Sequence, residues 1–345
     1  MMPNGYLVIC FLSQFICHSL QQVPRNRSFL IDYENNRFLK DEQPFRYISG
    51  SVHYYKIPEY YWEDRIIKSK AMGLNTIQTY IPWNVHEPLQ GQWEFGGEQN
   101  VTKFLDLCQK HGLLVIVRPG PYIDDAIDFG GLPGWILKFD NIWPRSLDPL
   151  FLQLSEAWFA KILPILRPYL YSNGGPVILV QVENEYGSYA CNNTYLERLM
   201  DIFHQYLQQE VLYFTTDGAG DWMIKCGHVE GAYATVDFDP SSFNQTVQNF
   251  DVMRKYSPAG PLVNSEFYSG HFDVWGYQHK LMTIQKFLDG MEALWKLHAS
   301  FNIYVSHGGT CFGYSAGAEM YKETGVDKFR PAVTSYDRDA PISGM

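Results

Sequence analysis

The chain has 345 residues, 46% of them hydrophobic and 16% aromatic, which excludes a mainly disordered polypeptide and suits one large domain or two small ones. Charged residues make up 19%, and the formal net charge is −10. That balance excludes a nucleic-acid binder, because no basic stripe exists to replace phosphate counterions, and a neutral ligand fits better.

Residues 1–20 read as a signal peptide: Tyr6 to Cys17 ("YLVICFLSQFIC") is apolar but too short to span a bilayer, and small and polar residues follow around Ser19. No later apolar run approaches membrane length, so no membrane span is expected. Sequons at Asn26, Asn100, Asn192 and Asn244 are candidate glycosylation sites of a secretory-pathway protein. With Cys10 and Cys17 in the leader, Cys108, Cys191, Cys226 and Cys311 remain, and spacing alone leaves all their pairings open. None of them makes a C-x-x-C pair, so zinc is not expected.

From Arg46 onward, short β-branched or apolar runs alternate with longer amphipathic ones. The predicted strands are 47–52, 76–80, 113–117, 177–182, 211–216, 232–236, 262–265 and 303–306. Helices are predicted over 62–72, 101–111, 155–169, 195–209, 242–256 and 282–298. The third crossover is the longest and is broken by "GGLPGW" at Gly130 to Trp135, and the connection 217–231 is the weakest as a helix. Such alternation is what a (β/α)8 TIM barrel requires, since parallel strands must be joined by crossovers. An open doubly wound sheet would bring a Gly-rich loop after its first strand. Here Val52 is followed by "HYYKIPEYYW", with no glycine. The expected fold class is therefore α/β, a single (β/α)8 barrel over 25–345.

Barrel active sites sit at the carboxyl ends of strands. Those ends carry His53 and Tyr54, then Tyr80, Arg118, Glu183 to Glu185, Asp237, Asn264 with Glu266, and His307. A lone carboxylate after a strand is usually an ion-paired or solvated rim residue. The fourth strand, however, runs through "VILVQVENEYG", an apolar run that stops in two carboxylates and an amide, and the seventh stops in Glu266. Carboxylates on such separated strands can face each other across the mouth, as two-carboxylate glycoside hydrolysis needs. Glu185 is then the proton donor, Glu266 the nucleophile, and Asn184 a partner for the sugar 2-hydroxyl. Glu183 points the other way along the pleat and is expected to be a structural acid paired with a base such as Arg118.

These residues resemble glycoside hydrolase family 35, the β-galactosidases that include the lysosomal enzyme of animals. The resemblance rests on "GGPVILVQVENEYG", "FRYISGSVHY", "GLNTIQTYIPWNVHEP", "RPGPYI", "GGLPGW", "FTTDG", "NSEFYSG" and "TSYDRDAP", and covers nearly all of 30–342. It implies a retaining exo-β-galactosidase barrel, with Glu185 as acid/base and Glu266 as nucleophile. It also implies sugar contacts from Tyr80, Asn184, Tyr304 and Tyr336, beside which Tyr268 and Asp125 are further candidate contacts, and a disulfide between Cys191 and Cys226 that leaves Cys108 and Cys311 unpaired. No cofactor or metal is implied. The partners are β-galactoside glycans or glycoconjugates, and the location is the secretory pathway, lysosomal or extracellular.

Three departures from the family pattern stand out. After "RPGPYI" the family usually has Cys-Ala-Glu-Trp, whose Glu holds galactose hydroxyls, and this chain has Asp124, Asp125, Ala126 and Ile127. Galactose affinity should fall unless Asp125 or Asp128 compensates, since an unpaired buried hydroxyl costs about 1 to 3 kcal/mol. His271 stands where a Trp commonly follows the nucleophile. The sequence ends at Met345, where relatives continue into β-rich domains, so a barrel without those domains is expected.

Two rival readings remain. "GYSAG" at Gly313 to Gly317 matches an esterase nucleophile elbow, but that fold needs a later histidine, and the last is His307. The other rival is a catalytically weak or inactive carbohydrate-binding or partner protein on the same barrel, favoured by Ala126. The sequence sets no oligomeric state.

Overall fold

Eight short runs of buried residues form parallel strands that pair around a closed ring: β1 (Ile48–Val52), β2 (Thr76–Tyr80), β3 (Leu114–Arg118), β4 (Val177–Gln181), β5 (Leu212–Gly218), β6 (Ala232–Asp237), β7 (Val263–Tyr268) and β8 (Ser300–His307). Closure comes from β8 pairing with β1, Phe301 opposite Ile48 and His307 opposite Val52. The computed structural model describes residues 27–323 and 326–343. The predicted leader, with Cys10 and Cys17, and the sequon at Asn26 lie outside the described residues.

Crossover helices surround the ring: α1 (Trp62–Ala71), α2 (Val101–Lys110), α3 (Pro149–Leu166), α4 (Asn193–Leu207), α5 (Asp221–Gly227), α6 (Phe243–Arg254) and α7 (Ile284–Lys296). Local chemistry sets several of their starts. Asn100, Asp148, Ser242 and Thr283 each accept a bond from the backbone N–H three residues on, satisfying a donor that the helix itself cannot. Asp148 with Pro149 at the first helical position starts α3 at Pro149 rather than at the expected Ser155. Its end tightens into a 3-10 turn over Arg167–Tyr169, where Pro168 has no N–H to continue the ladder. The weakly helical fifth connection yields the seven-residue α5.

The helices bury an apolar layer on the outside of the ring, including Ile66, Phe104, Trp158, Phe159, Ile162 and Phe203. Inside the ring the packing is partly polar. Asn302 donates to Ser51 Oγ at 2.8 Å and Thr235 to Ser265 Oγ at 3.0 Å, forming bonded layers beneath the mouth. These polar positions hid the full length of two strands: β7 runs on to Tyr268 and carries Glu266 within it, and β8 begins at Ser300.

Two small sheets were not anticipated. Strands Phe29–Asp32, Arg37–Lys40 and Gln43–Phe45 form an antiparallel sheet. Its Phe29 and Phe38 pack with Tyr47 and Leu74, which precede β1 and β2, so it covers the end opposite the strand tips. A hairpin of Ala318–Glu323 and Val326–Pro331 follows β8. Met320 and Phe329 on it are 67% and 69% exposed, so no buried face gave it an apolar alternation to read. "GYSAG" lies in the loop that leads into this hairpin, without the helix that a nucleophile elbow needs.

Candidate active site

Beyond Gln181 the chain stays bonded to β5 and then turns. Val182 N–H bonds Phe214 O at 3.0 Å and Glu185 N–H bonds Thr216 O at 3.1 Å. Between them Glu183 and Glu185 adopt left-handed backbone, φ +60° and +45°, a conformation that residues with a Cβ hold only when neighbours over-determine it. The neighbours are visible. A Cβ on Gly187 would lie 1.7 Å from Met223 O, so only glycine lets this turn press onto α5, and Cys191–Cys226 bonds the same two segments covalently. Cys108 and Cys311 are free and buried.

The turn aims Asn184 and Glu185 into a cavity of about 350 Å³ that Glu266 also lines. Tyr80, Asp125, Tyr268 and Tyr304 share its wall, as do Asp124, Ala126, His271 and Arg338. Tyr336 does not line it; its hydroxyl sits 3.0 Å from the Tyr304 hydroxyl, one layer back. The cavity opens into a wider groove of about 950 Å³ that shares Asp124, His271, Phe272 and Glu319 with it. Another hollow, of about 510 Å³ between Tyr33, Tyr213 and Tyr233, lies at the starts of β5 and β6 and carries no carboxylate.

The two glutamates sit in opposite settings. Glu266 receives Arg118 Nη2 at 2.5 Å, Tyr80 OH at 3.1 Å and Tyr268 OH at 3.1 Å. Glu185 has no cation against it among the described residues. Its carboxylate accepts a long bond from Asn184 Nδ2 at 3.3 Å. Burial, followed by the negative charges of Asp237, Glu266 and Asp124, pushes its carboxyl well above the ordinary range.

Glu183 is structural, as expected, but its partner is not Arg118. Arg145, from the long third crossover, grips it with two bonds of 3.0 and 2.8 Å, and Tyr195 adds a third at 3.1 Å. Arg118 points inward from β3 and is taken by Glu266 and Asn184 instead. Neither partner was legible, because both contacts join elements distant in sequence.

Asp125 is largely committed to its own surroundings. Lys56 Nζ lies 3.1 Å from it, Tyr304 OH donates at 3.1 Å, and Tyr55 donates as well. Burial pushes this carboxyl up, but its cationic and hydrogen-bonding neighbours, Lys56 and Tyr55 among them, outweigh it and hold it below the usual range. His53 Nε2 approaches Asp125 at 3.3 Å, yet burial first, then the charges of Lys56 and Arg118, bring the imidazole down to about 3. The contact is therefore with a neutral ring. Asp128 is exposed and absent from the cavity wall. Sequence reasoning also passed over Lys56 and Arg338, whose positions give no sign of the site until β8 and the closing loop fold back over it.

A profile of the family described as Glycosyl hydrolases family 35 matches residues 37–345. The chain belongs to this family. Curated relatives include "Beta-galactosidase" of Canis lupus familiaris, 50% identical over 318 residues, covering 92% of this chain and 46% of that protein. "Beta-galactosidase" of Mus musculus is 49% identical over 327 residues, covering 94% and 49%. The mouse "Beta-galactosidase-1-like protein" is 47% identical, covering 92% and 48%. This family 35 chain thus spans about half the length of the curated relatives it matches. Among solved structures, an exo-beta-1,4-mannosidase from Opitutaceae bacterium strain TAV5 aligns with TM-score 0.55 at 14% identity, over 76% of this chain and 52% of that one. A GH2 beta-galacturonidase from Eisenbergiella tayi aligns with TM-score 0.54 at 14% identity, over 81% and 47%. At such identity these two share the fold.

Asn192 and Asn244 are exposed, and Asn100 is partly buried with its side-chain oxygen capping α2. Among the described residues no helix is long and apolar enough to cross a membrane, and no group of His, Cys, Asp and Glu is arranged to hold a metal ion.

Proposed function

We propose that this barrel is a retaining exo-β-galactosidase unit that removes terminal β-linked galactose from glycoconjugates. The observation that carries the reading is the contrast between two glutamates on one small cavity: Glu266 with Arg118 at 2.5 Å, and Glu185 without a cation and with its carboxyl pushed up.

In the first step a Glu266 oxygen attacks the anomeric carbon, while Glu185 gives its proton to the leaving glycosidic oxygen. The product is a galactosyl ester on Glu266 and a free aglycone alcohol. Forming that ester removes a negative charge that had opposed ionisation of Glu185. Glu185 then takes a proton from water, whose oxygen attacks the same carbon and releases galactose with its β configuration and Glu266 as carboxylate. Asn184, fixed by Arg118 and by Gln181 at 3.0 Å, is placed for the sugar 2-hydroxyl. Tyr80, Tyr268 and Tyr304 offer hydroxyls along the wall, with Tyr336 holding Tyr304 from behind. Relatives bearing the name beta-galactosidase support this choice of sugar.

The sequons and the raised donor carboxyl suit a secretory, acidic setting, lysosomal or extracellular. Ala126 on the cavity wall favours a second reading, a sugar binder with weak or no turnover. Proton NMR of the first sugar released from a β-galactoside separates them. A β-anomer that later mutarotates is expected; an α-anomer first, or no release by folded protein, contradicts the proposal.

A further inference from the structure

We infer that Arg338 makes the pocket selective for a terminal sugar carrying an anionic substituent, a carboxylate or a sulfate. The inference rests on the glycosidase reading and narrows its substrate class.

Arg338 lines the cavity beside Glu266, Tyr268 and Tyr304 and is only 8% exposed. Its guanidinium stands 4.9 Å from the Tyr304 ring centre and 5.5 Å from that of Tyr268. Nη1 donates to the Tyr336 hydroxyl at 3.2 Å, and the buried Nε has no hydrogen-bond partner. Among the described residues no carboxylate pairs with it. The other buried cations around the mouth differ: Arg118 holds Glu266, Arg145 holds Glu183 and Lys56 holds Asp125. A buried cation without a counter-charge is costly, and ring faces offset only part of that cost. A bound anion would supply the missing partner and satisfy donors that are now idle.

The backbone is specialised at the same place. Arg338 and Asp339 have φ of +51° and +52°, and Ser269 Oγ bonds Arg338 O at 3.0 Å. A Cβ on Gly270 would come within 2.6 Å of that carbonyl, so the loop after the nucleophile strand is shaped to seat Arg338. Strain held this firmly is characteristic of ligand-contacting positions.

The carboxylates of the wall do not cancel this charge. Asp125 and Glu266 have their own cations, Glu319 faces Arg330 at 4.0 Å, and Asp239, 3.7 Å from His271, has its side chain 46% exposed to solvent. Among the described residues Asp124 and Glu185 have no such partner. Asp124 is exposed at the rim, and both carboxyls are pushed up, by desolvation first and then by neighbouring carboxylates, so protonation in acid reduces their repulsion of an anion. The net negative charge of the whole chain disfavours anions at long range, but at contact distance the local guanidinium dominates.

The test is calorimetric titration of the full chain, in acidic buffer, with galactose, galacturonate and galactose 6-sulfate. One of the two anions should bind about 10- to 100-fold more tightly than galactose, the span of a charge-assisted bond, and which one does so identifies the substituent. Arg338→Gln should bring that ratio close to one, and Arg338→Lys should keep part of it. Galactose binding as well as both anions in the wild type overturns the inference, whether or not Arg338→Gln folds. Hydrolysis of the 4-nitrophenyl β-galactoside and β-galacturonide by the same protein separates the two ideas. Cleavage without anion preference removes only the role of Arg338, and anion preference without any cleavage removes only the glycosidase reading.

Discussion

Arg118, at the tip of β3, reaches across the ring to Glu266 on β7 at 2.5 Å and stacks 4.2 Å from the Tyr80 ring centre. It is the cation that offsets the cluster of negative charge formed by Glu266, Asp237 and Glu185. Replacing it with Gln removes the charged bond that holds the Glu266 carboxylate in place, and kcat/KM should fall about 100-fold or more. An unchanged kcat/KM would assign Arg118 a packing role only.

Glu185 is expected to act as the proton donor, so its loss should matter most where the leaving group is basic. Glu185→Ala should slow natural β-galactosides by about 100-fold or more, and aryl galactosides with good leaving groups far less in the glycosylation step. Equal slowing of both would remove Glu185 from the donor role.

Asp237 is buried beside this pair, with Oδ2 unbonded, and burial, then Glu266 and Asp217, raises its carboxyl well above the usual value. A carboxyl raised in the folded state holds its proton better there than in the unfolded chain. Its contribution to stability is complete below the ordinary carboxylate range and is lost as pH rises through the raised value. Asp237→Asn cannot ionise, so it should melt higher than wild type at neutral pH, with a gain of up to about 1.4 kcal/mol for each pH unit between the ordinary carboxylate value and the raised one. It also removes a negative neighbour of Glu185, so the basic limb of kcat/KM should move to lower pH. Thermal melts from acid to neutral pH and a pH-rate profile check both.

The Cys191–Cys226 bond closes a loop with a sequence separation of 35 and ties the turn after Glu185 to α5. On the chain-entropy account its removal should cost about 4 kcal/mol. The double Ala variant should therefore unfold at lower urea with little change in the slope of the transition. A midpoint equal to wild type would show that packing around Gly187 alone fixes the turn.

Much of the barrel was legible because strands buried on both faces leave unbroken apolar runs such as "VILV" at Val177 to Val180, and because crossover helices carry caps and amphipathic spacing. Glu185 and Glu266 were legible because a polar residue at the end of such a run has to be explained. The partners of Glu183 and Glu266 were not, since Arg145 and Arg118 are chosen by geometry across the ring and not by spacing. Arg338 stayed hidden for a related reason: "TSYDRDAP" carried the family resemblance without marking its arginine, and only docking against Tyr304 and Tyr336 buries that charge. On the hairpin at Ala318–Glu323 and Val326–Pro331, Met320 and Phe329 lie opposite each other and are exposed, so they gave no core-facing period to read.

The central claim is that Glu266 becomes covalently bonded to the sugar while Glu185 manages the proton. Incubation with an activated 2-fluoro-β-galactoside, followed by proteolysis and mass mapping, tests it most directly, because the fluorine slows breakdown of the ester more than the leaving group allows its formation to be slowed. A stable adduct on the peptide "NSEFYSG", located at Glu266, is the expected result. An adduct on any other carboxylate, or neither adduct nor hydrolysis from folded protein across several β-glycosides and pH values, would contradict it.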